Sequence, residues 1–212
     1  MDRFVRIVAA LGILAVSLAA APATQAQGDA SALLARMSQV NAKLQSYTAS
    51  AHVDIAMHSF PFLNPALDGT FYFKQPDKQA VVFDAVPALA KQFQKVYPRL
   101  DPPATWSAIY NVTAVGSEGG STMLRLVPKK HGRVSHLDVK VDNASATPVA
   151  YTWTYEDGGT VTFDQSYAQI NGNYLVKSES GRIDLPQYKA DVTSTFSNFK
   201  LNVPISDSVF AS

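Results

Sequence analysis

From Thr48 to Leu201 the sequence is a succession of short segments in which large apolar side chains alternate with polar ones. Successive residues of a strand point to opposite faces, so this alternation predicts half-buried strands. Phe71 and Phe73 share one face of such a segment, as do Val81 and Phe83, Leu124 and Leu126, and Leu137, Val139 and Val141. Tyr151, Trp153 and Tyr155 follow, then Val161 and Phe163. Turn signals punctuate the run at Gln75-Pro76-Asp77-Lys78, Gly116 to Gly120, His131-Gly132, Asp157-Gly158-Gly159 and Asn171-Gly172-Asn173. Asn171-Gly172 is the strongest, because a two-residue hairpin turn requires positive φ at both central positions. About ten strands joined by short links favour an antiparallel up-and-down sheet over parallel βαβ units. A sheet that wide has to twist and curl, and its concave face tends to enclose a hollow.

Two segments carry a helical period. Beyond Asp29, read as an N-cap, Leu33, Met37, Val40 and Leu44 recur along one face. Val86 to Tyr97 sets Leu89, Phe93 and Val96 on one stripe and is expected to stop at Asp101-Pro102-Pro103. These helices are the elements available to cover the concave side, the second as a lid. Between the first two strands, expected over Thr48 to Met57 and Gly69 to Lys74, lies Phe60-Pro61-Phe62-Leu63-Asn64-Pro65. Its prolines forbid a regular ladder, and its apolar side chains either tuck under the domain or line the mouth of a pocket.

The chain opens with a different kind of segment. Asp2, Arg3 and Arg6 form a charged head, Ile7 to Ala21 is an apolar run, and Thr24 and Ala26 provide small residues. This is the pattern of a cleaved export signal over residues 1–26, since the apolar run falls short of the roughly 20 residues a spanning helix needs. Removing 26 of 212 residues leaves 186, enough for one domain, expected over 27–212. Lys plus Arg then falls from 18 to 16 and Asp plus Glu from 17 to 16. Neutrality gives no field that would recruit nucleic acid or an anionic membrane surface. The absence of cysteine excludes a disulfide scaffold, a thiolate metal site, a thiol nucleophile and the lipid-attachment cysteine of bacterial lipoproteins. The expected location is the periplasm, as a soluble protein without a lipid anchor.

No residue set points to catalysis. His52 and His58 are six apart, about 20 Å on one continuous strand and too far to share a metal. His131 and His136 sit in or beside a turn. No Gly-x-Ser-x-Gly elbow occurs, no glycine cluster continues into Gly-Lys-Ser/Thr, and Asp68, Asp77, Asp101, Glu118 and Asp157 stand beside glycine or proline as turn residues. The chain is therefore read as no enzyme, with no cofactor and no metal.

Several stretches resemble a known family. Leu67-Asp68-Gly69-Thr70-Phe71-Tyr72-Phe73-Lys74-Gln75-Pro76-Asp77-Lys78 is similar to the glycine, strand, basic residue and proline sequence near the start of LolA-like proteins, the periplasmic lipoprotein carriers and their relatives. Leu124-Arg125-Leu126-Val127-Pro128-Lys129 looks like the family's strand ending in proline and lysine. Leu137 to Asp142 with Thr147-Pro148 resembles the strand and aspartate turn that follow, and Phe196 to Pro204 with Asp207 and Phe210 resembles the closing strand and tail. The resemblance implies a mainly β (α+β) fold, a single curved antiparallel sheet forming a half-open barrel with helices over its concave side. It also implies an apolar hollow for acyl chains. Two departures stand out: Gln75 occupies the place of an arginine that latches the lid in the lipoprotein carriers, and Asp84-Ala85-Val86-Pro87 replaces their aspartate-glycine turn and tryptophan strand.

Together these readings predict a periplasmic carrier or binding protein for a lipid or acylated cargo. The expected lining is Phe71, Phe73, Phe83, Leu89, Phe93, Leu126, Val139, Trp153 and Phe163. Expected partners are a lipid or acyl chain and membrane-bound donor and acceptor proteins. The alternative is an envelope-stress sensory module that detects lipid or lipoprotein; an envelope hydrolase ranks below both.

Overall fold

The computed structural model describes residues 23–60, 62, 64–85 and 100–211. Residues 1–22 of the expected export signal and the expected helix Val86 to Tyr97 lie outside the described residues. Helix α1 (Ala23–Gln39) leads into β1 (Ser46–Met57), β2 (Ala66–Lys74) and β3 (Lys78–Phe83). A short helix α2 (Pro103–Ile109) then precedes β4 (Tyr110–Glu118), β5 (Ser121–Pro128), β6 (Val134–Asp142) and β7 (Pro148–Tyr155). β8 (Thr160–Ile170), β9 (Asn173–Leu185) and β10 (Tyr188–Leu201) complete the sheet, and a single 3₁₀ turn, Asp207–Phe210, follows.

Among the described residues ten strands join one antiparallel sheet in the order β3-β2-β1-β10-β9-β8-β7-β6-β5-β4. Each strand except the β3/β4 break is a hairpin neighbour of the next, and β10 returns to pair with β1 along Tyr47 to Met57. β3 and β4 do not pair, so the sheet stays open. The turn chemistry follows the sequence: Asn171 and Gly172 both have positive φ, 49° and 78°, as the tight β8–β9 hairpin requires.

The helices depart from expectation at Asp29 and add an element at Pro103. Asp29 is not an N-cap, because α1 begins at Ala23 and runs across the expected cleavage position after Ala26; alanine and glutamine, abundant in that first stretch, are good helix formers. Pro102-Pro103 opens a further helix that the periodicity did not mark, with Pro103 at its first position, where a missing N–H costs nothing and the fixed φ suits the helix; the expected end of the Val86 to Tyr97 helix lies outside the described residues. Trp106, one turn in, is completely buried, and its indole N–H donates to the Asp101 carbonyl oxygen at 2.6 Å.

The core lies between α1 and one face of the sheet. Ala30, Leu33, Leu34 and Met37 of α1 join Trp106 and the inward residues of β4 to β10 in one apolar cluster. The ring of Phe163 lies over Gly181, so close that a Cβ at that position would overlap it. Gly181→Ala is therefore expected to destabilise the fold by about 1–3 kcal/mol through overpacking. Urea denaturation measures this, and an unchanged midpoint would show that the ring has room to yield.

Candidate functional site

Directly paired residues of neighbouring strands share a face, so the register fixes which side chains look the same way. One row runs Val112, Leu126, Leu137, Trp153, Val161, Ile183, Ala190 and Met57 from β4 to β1. The next runs Ala114, Leu124, Val139, Tyr151, Phe163, Gly181, Val192 and Ile55. On the β1–β2–β3 side the same face continues through Phe196, Ala51, Gly69 and Phe83, then Ala49, Phe71 and Val81, then Tyr47, Phe73 and Gln79. The structure thus brings Phe71, Phe73, Phe83, Leu126, Val139, Trp153 and Phe163 onto one face. Leu89 and Phe93 lie outside the described residues.

That face has two halves of different character. Leu126, Val139, Trp153 and Phe163 are 0–4 % exposed, packed into the core beneath α1 and Trp106. Phe71, Phe73 and Phe83 are only half-buried. Around Phe71 and Phe73 stand three rings that the strand alternation did not select. Tyr47 lies 5.5 Å from Phe71 and 5.3 Å from Phe73 between ring centres, Phe196 meets Phe71 edge-on at 5.6 Å, and Phe199 lies 6.3 Å from Tyr47. The signal for Phe199 was masked by a bulge: Asn198 and Phe199 together oppose Ala49, with Asn198 at φ 54°, so the two phenylalanines of β10 are three apart and still share a face. Such rings prefer these offset and edge-on arrangements, and together they make an apolar shelf.

Between the halves runs a row with polar members, Leu67, Val53, Ser194, Glu179 and Gln165. Glu179 is buried, and its Oε2 accepts from the Tyr151 hydroxyl at 2.5 Å and the Gln165 amide at 2.6 Å. The same amide also donates to the Tyr151 oxygen at 2.9 Å, while the Tyr167 hydroxyl donates to Gln165 Oε1 at 2.8 Å and the Pro148 carbonyl at 2.7 Å. Burial holds the Tyr47 and Tyr167 phenols well above their ordinary pKa, so both remain donors at neutral pH. Beside this cluster a groove of about 450 Å³ opens, lined by residues of the β6–β7 connection, Asp142 among them, and by Gln165, Ser166, Tyr167, Gln169 and Tyr174.

The approaches to the shelf are tied to α1 by neutral groups. The Gln75 amide donates to the carbonyls of Asn41 and Ala42, at 3.5 and 3.3 Å, in the turn that follows α1, and its backbone N–H donates to Gln45 O at 2.9 Å. A pair of neutral hydrogen bonds thus joins the β2–β3 turn to the turn after α1, at the position where the lipoprotein carriers of the resemblance have an arginine. Asn41 in turn clamps the start of β9, giving its amide to Tyr174 O at 2.7 Å and accepting from Tyr174 N at 2.8 Å. In the β1–β2 loop Phe60 and Phe62 face each other edge-on, and Phe62 is 84 % exposed, so its ring does not tuck under the domain.

Three of the histidines, His52, His58 and His136, lie against carboxylates. His52 Nδ1 lies 2.7 Å from Asp68 and its Nε2 3.3 Å from Asp54, while His58 lies 2.8 Å from Asp191. Among the described residues no group of three or more His, Asp or Glu is placed to hold a metal ion. The hydrogen bond that His52 donates to Asp68, followed by the charge of Asp54, raises the His52 pKa. A raised folded-state value means that the pair stabilises the fold fully below the unfolded histidine's pKa of about 6.5 and loses that contribution as pH rises through the folded value. NMR titration is expected to show the His52 pKa falling toward the ordinary value in Asp68→Asn; an unchanged pKa would contradict the pairing.

By sequence, no protein-family model and no curated protein matches the chain. By structure, it is similar to a DUF1329 family protein from Desulfovibrio piger, with a TM-score of 0.68 at 16 % identity, over 87 % of this chain and 97 % of that one. It is similar to a putative outer membrane lipoprotein-sorting protein domain from Vibrio parahaemolyticus, with a TM-score of 0.65 at 12 % identity, over 89 % and 97 % of the two chains. A LolA superfamily protein from Nitrosomonas europaea aligns with a TM-score of 0.55 at 12 % identity, over 86 % and 97 %. The open ten-stranded antiparallel sheet, with helices packed on one face, is a LolA-like fold.

Proposed function

We propose that this protein is an exported, periplasmic carrier or binding protein for a lipid or an acylated molecule, with no catalytic activity. The observation that carries the reading is the aromatic shelf. On a sheet face whose other half is buried in the core cluster with α1, Tyr47, Phe71, Phe73, Phe196 and Phe199 form a contiguous cluster of half-buried rings. Apolar surface of this size left partly open marks a binding surface. The LolA-like fold supports the reading, since one of its structural neighbours is named as a lipoprotein-sorting domain. The signal-like segment over residues 1–26 supports export.

The driving force is burial of methylenes, each worth about 0.8 kcal/mol. Ordering of the chain and lost translational freedom offset part of this, which leaves a single acyl chain able to supply a useful affinity. Cargo engages the shelf at Phe71, Phe73 and Phe83 first. Leu126, Val139, Trp153 and Phe163 become lining when α1 moves off the sheet. Titration of the mature protein with a fluorescent fatty acid tests the reading: saturable binding that an unlabelled fatty acid displaces is expected, and its absence would remove the basis for a carrier.

A further inference from the structure

Phe62 is 84 % exposed, more than any other large apolar side chain among the described residues, and Phe60 is 41 % exposed. Their rings meet edge-on with centres 6.3 Å apart, so they form one apolar knob. The knob stands on fixed stems. Met57 N donates to Asn64 Oδ1 at 3.0 Å and Ile55 N to Pro65 O at 3.0 Å. His58 N donates to Lys189 O at 2.8 Å, and Lys189 N donates to Ser59 Oγ at 2.9 Å. β1 and the start of β10 thus hold the loop, and little ordering entropy is left to lose when the rings are buried.

Position, charge and area narrow the partner. In this up-and-down sheet the β1–β2, β5–β6, β7–β8 and β9–β10 connections all lie at one end, so the knob stands on a rim. Charges of both signs share that rim. His58 is paired with Asp191 at 2.8 Å and Lys189 with Asp184 at 2.7 Å, while Lys129, Lys130 and Arg133 stand on the rim together with Asp84, Asp101, Glu156 and Asp157. Mixed signs favour neither an anionic nor a cationic partner. Two phenylalanine rings bury roughly 150–250 Å² each, well under the about 800 Å² per partner of a stable protein interface. A bilayer asks for no complementary surface, since exposed rings enter the boundary between headgroups and acyl chains one by one.

We propose that Phe60 and Phe62 are a membrane-docking knob that inserts into the interfacial layer of a phospholipid bilayer, driven by apolar burial and independent of lipid charge. The knob is separate from the aromatic shelf, because it follows the last residue of β1 while Tyr47 and its partner Phe73 lie at the start of that strand. The proposal therefore adds a membrane contact to the cargo reading without resting on it.

The test is co-sedimentation of the mature protein with large vesicles of zwitterionic phosphatidylcholine. Phe62→Ser is expected to lower the partition coefficient at least about tenfold, the effect of losing one buried ring. Val115→Ser, which removes a side chain 51 % exposed on β4, and Phe71→Asp on the shelf are expected to leave it within about twofold. Phe62→Trp gives a second readout. Trp106 and Trp153 are 0 and 4 % exposed, so the tryptophan added at the knob is the one whose emission moves to shorter wavelength on vesicles and is quenched by brominated phosphatidylcholine. No sedimentation of the unaltered protein, or no shift in Phe62→Trp, overturns the proposal and leaves the carrier reading standing. So does a loss in Val115→Ser or Phe71→Asp as large as that in Phe62→Ser, or binding that requires anionic lipid and vanishes in high salt.

Discussion

Trp106→Ala is expected to destabilise the protein by about 3–5 kcal/mol, a large part of the stability of a single domain. Trp106 is completely buried in the cluster that joins α1, α2 and the sheet. Truncation leaves a cavity there and removes the donor that satisfies the Asp101 carbonyl, a residue whose side chain also accepts from Tyr110 at 3.1 Å. Burial, and next the charge of Asp101, holds the Tyr110 phenol up at about 12, so this cluster stays intact through the neutral range. Urea denaturation followed by circular dichroism gives the value directly. Trp106→Phe, which keeps most of the volume and loses the N–H, is expected to cost less than the alanine variant. A loss under about 1 kcal/mol in Trp106→Ala would mean that α2 does not anchor the covered half of the sheet.

The second large effect falls on binding with stability spared. Phe71→Asp is expected to weaken binding of an acyl ligand at least about thirtyfold, the equivalent of about 2 kcal/mol, because it removes a ring from the centre of the shelf and sets a charge in its place. Phe71 is half-buried, at the meeting of Tyr47 and Phe196, so the sheet survives its replacement and the far-ultraviolet circular dichroism is unchanged. Val127→Asp is the control. Val127 is exposed on the opposite face from Leu126, and a charge there is expected to leave the affinity unaltered. Equal losses in the two variants would place the ligand somewhere other than the aromatic face.

The sequence made the sheet legible because its alternation has the period of the strand, and parity placed Phe71, Phe73, Phe83, Leu126, Val139, Trp153 and Phe163 on one face without structural information. What parity lacks is any record of what covers that face. It could not distinguish Phe163, fully buried in the core, from Phe73, half open. Tyr47 was passed over because its strand was started two residues late, at Thr48, and Phe196 and Phe199 because the Asn198 bulge breaks the period of two. Glu179 was invisible for a different reason: a charged residue in an apolar register reads as the outward face, and only the β9 pairing with Gln165 shows where it points. The Pro102-Pro103 pair carries two signals, since proline both ends helices and opens them, and the helix it opens, anchored by the buried Trp106, was not read from the sequence.

The central claim is that the open aromatic half of the concave face holds a lipid. The most direct measurement is to purify the mature protein from its native host without detergent, extract it with organic solvent and identify the released molecules by mass spectrometry. The account predicts an amphiphile recovered in a fixed ratio to the protein, and its loss from Phe71→Asp prepared in parallel. Recovery of no lipid above a washed control protein, together with no binding of a fluorescent fatty acid, would contradict it.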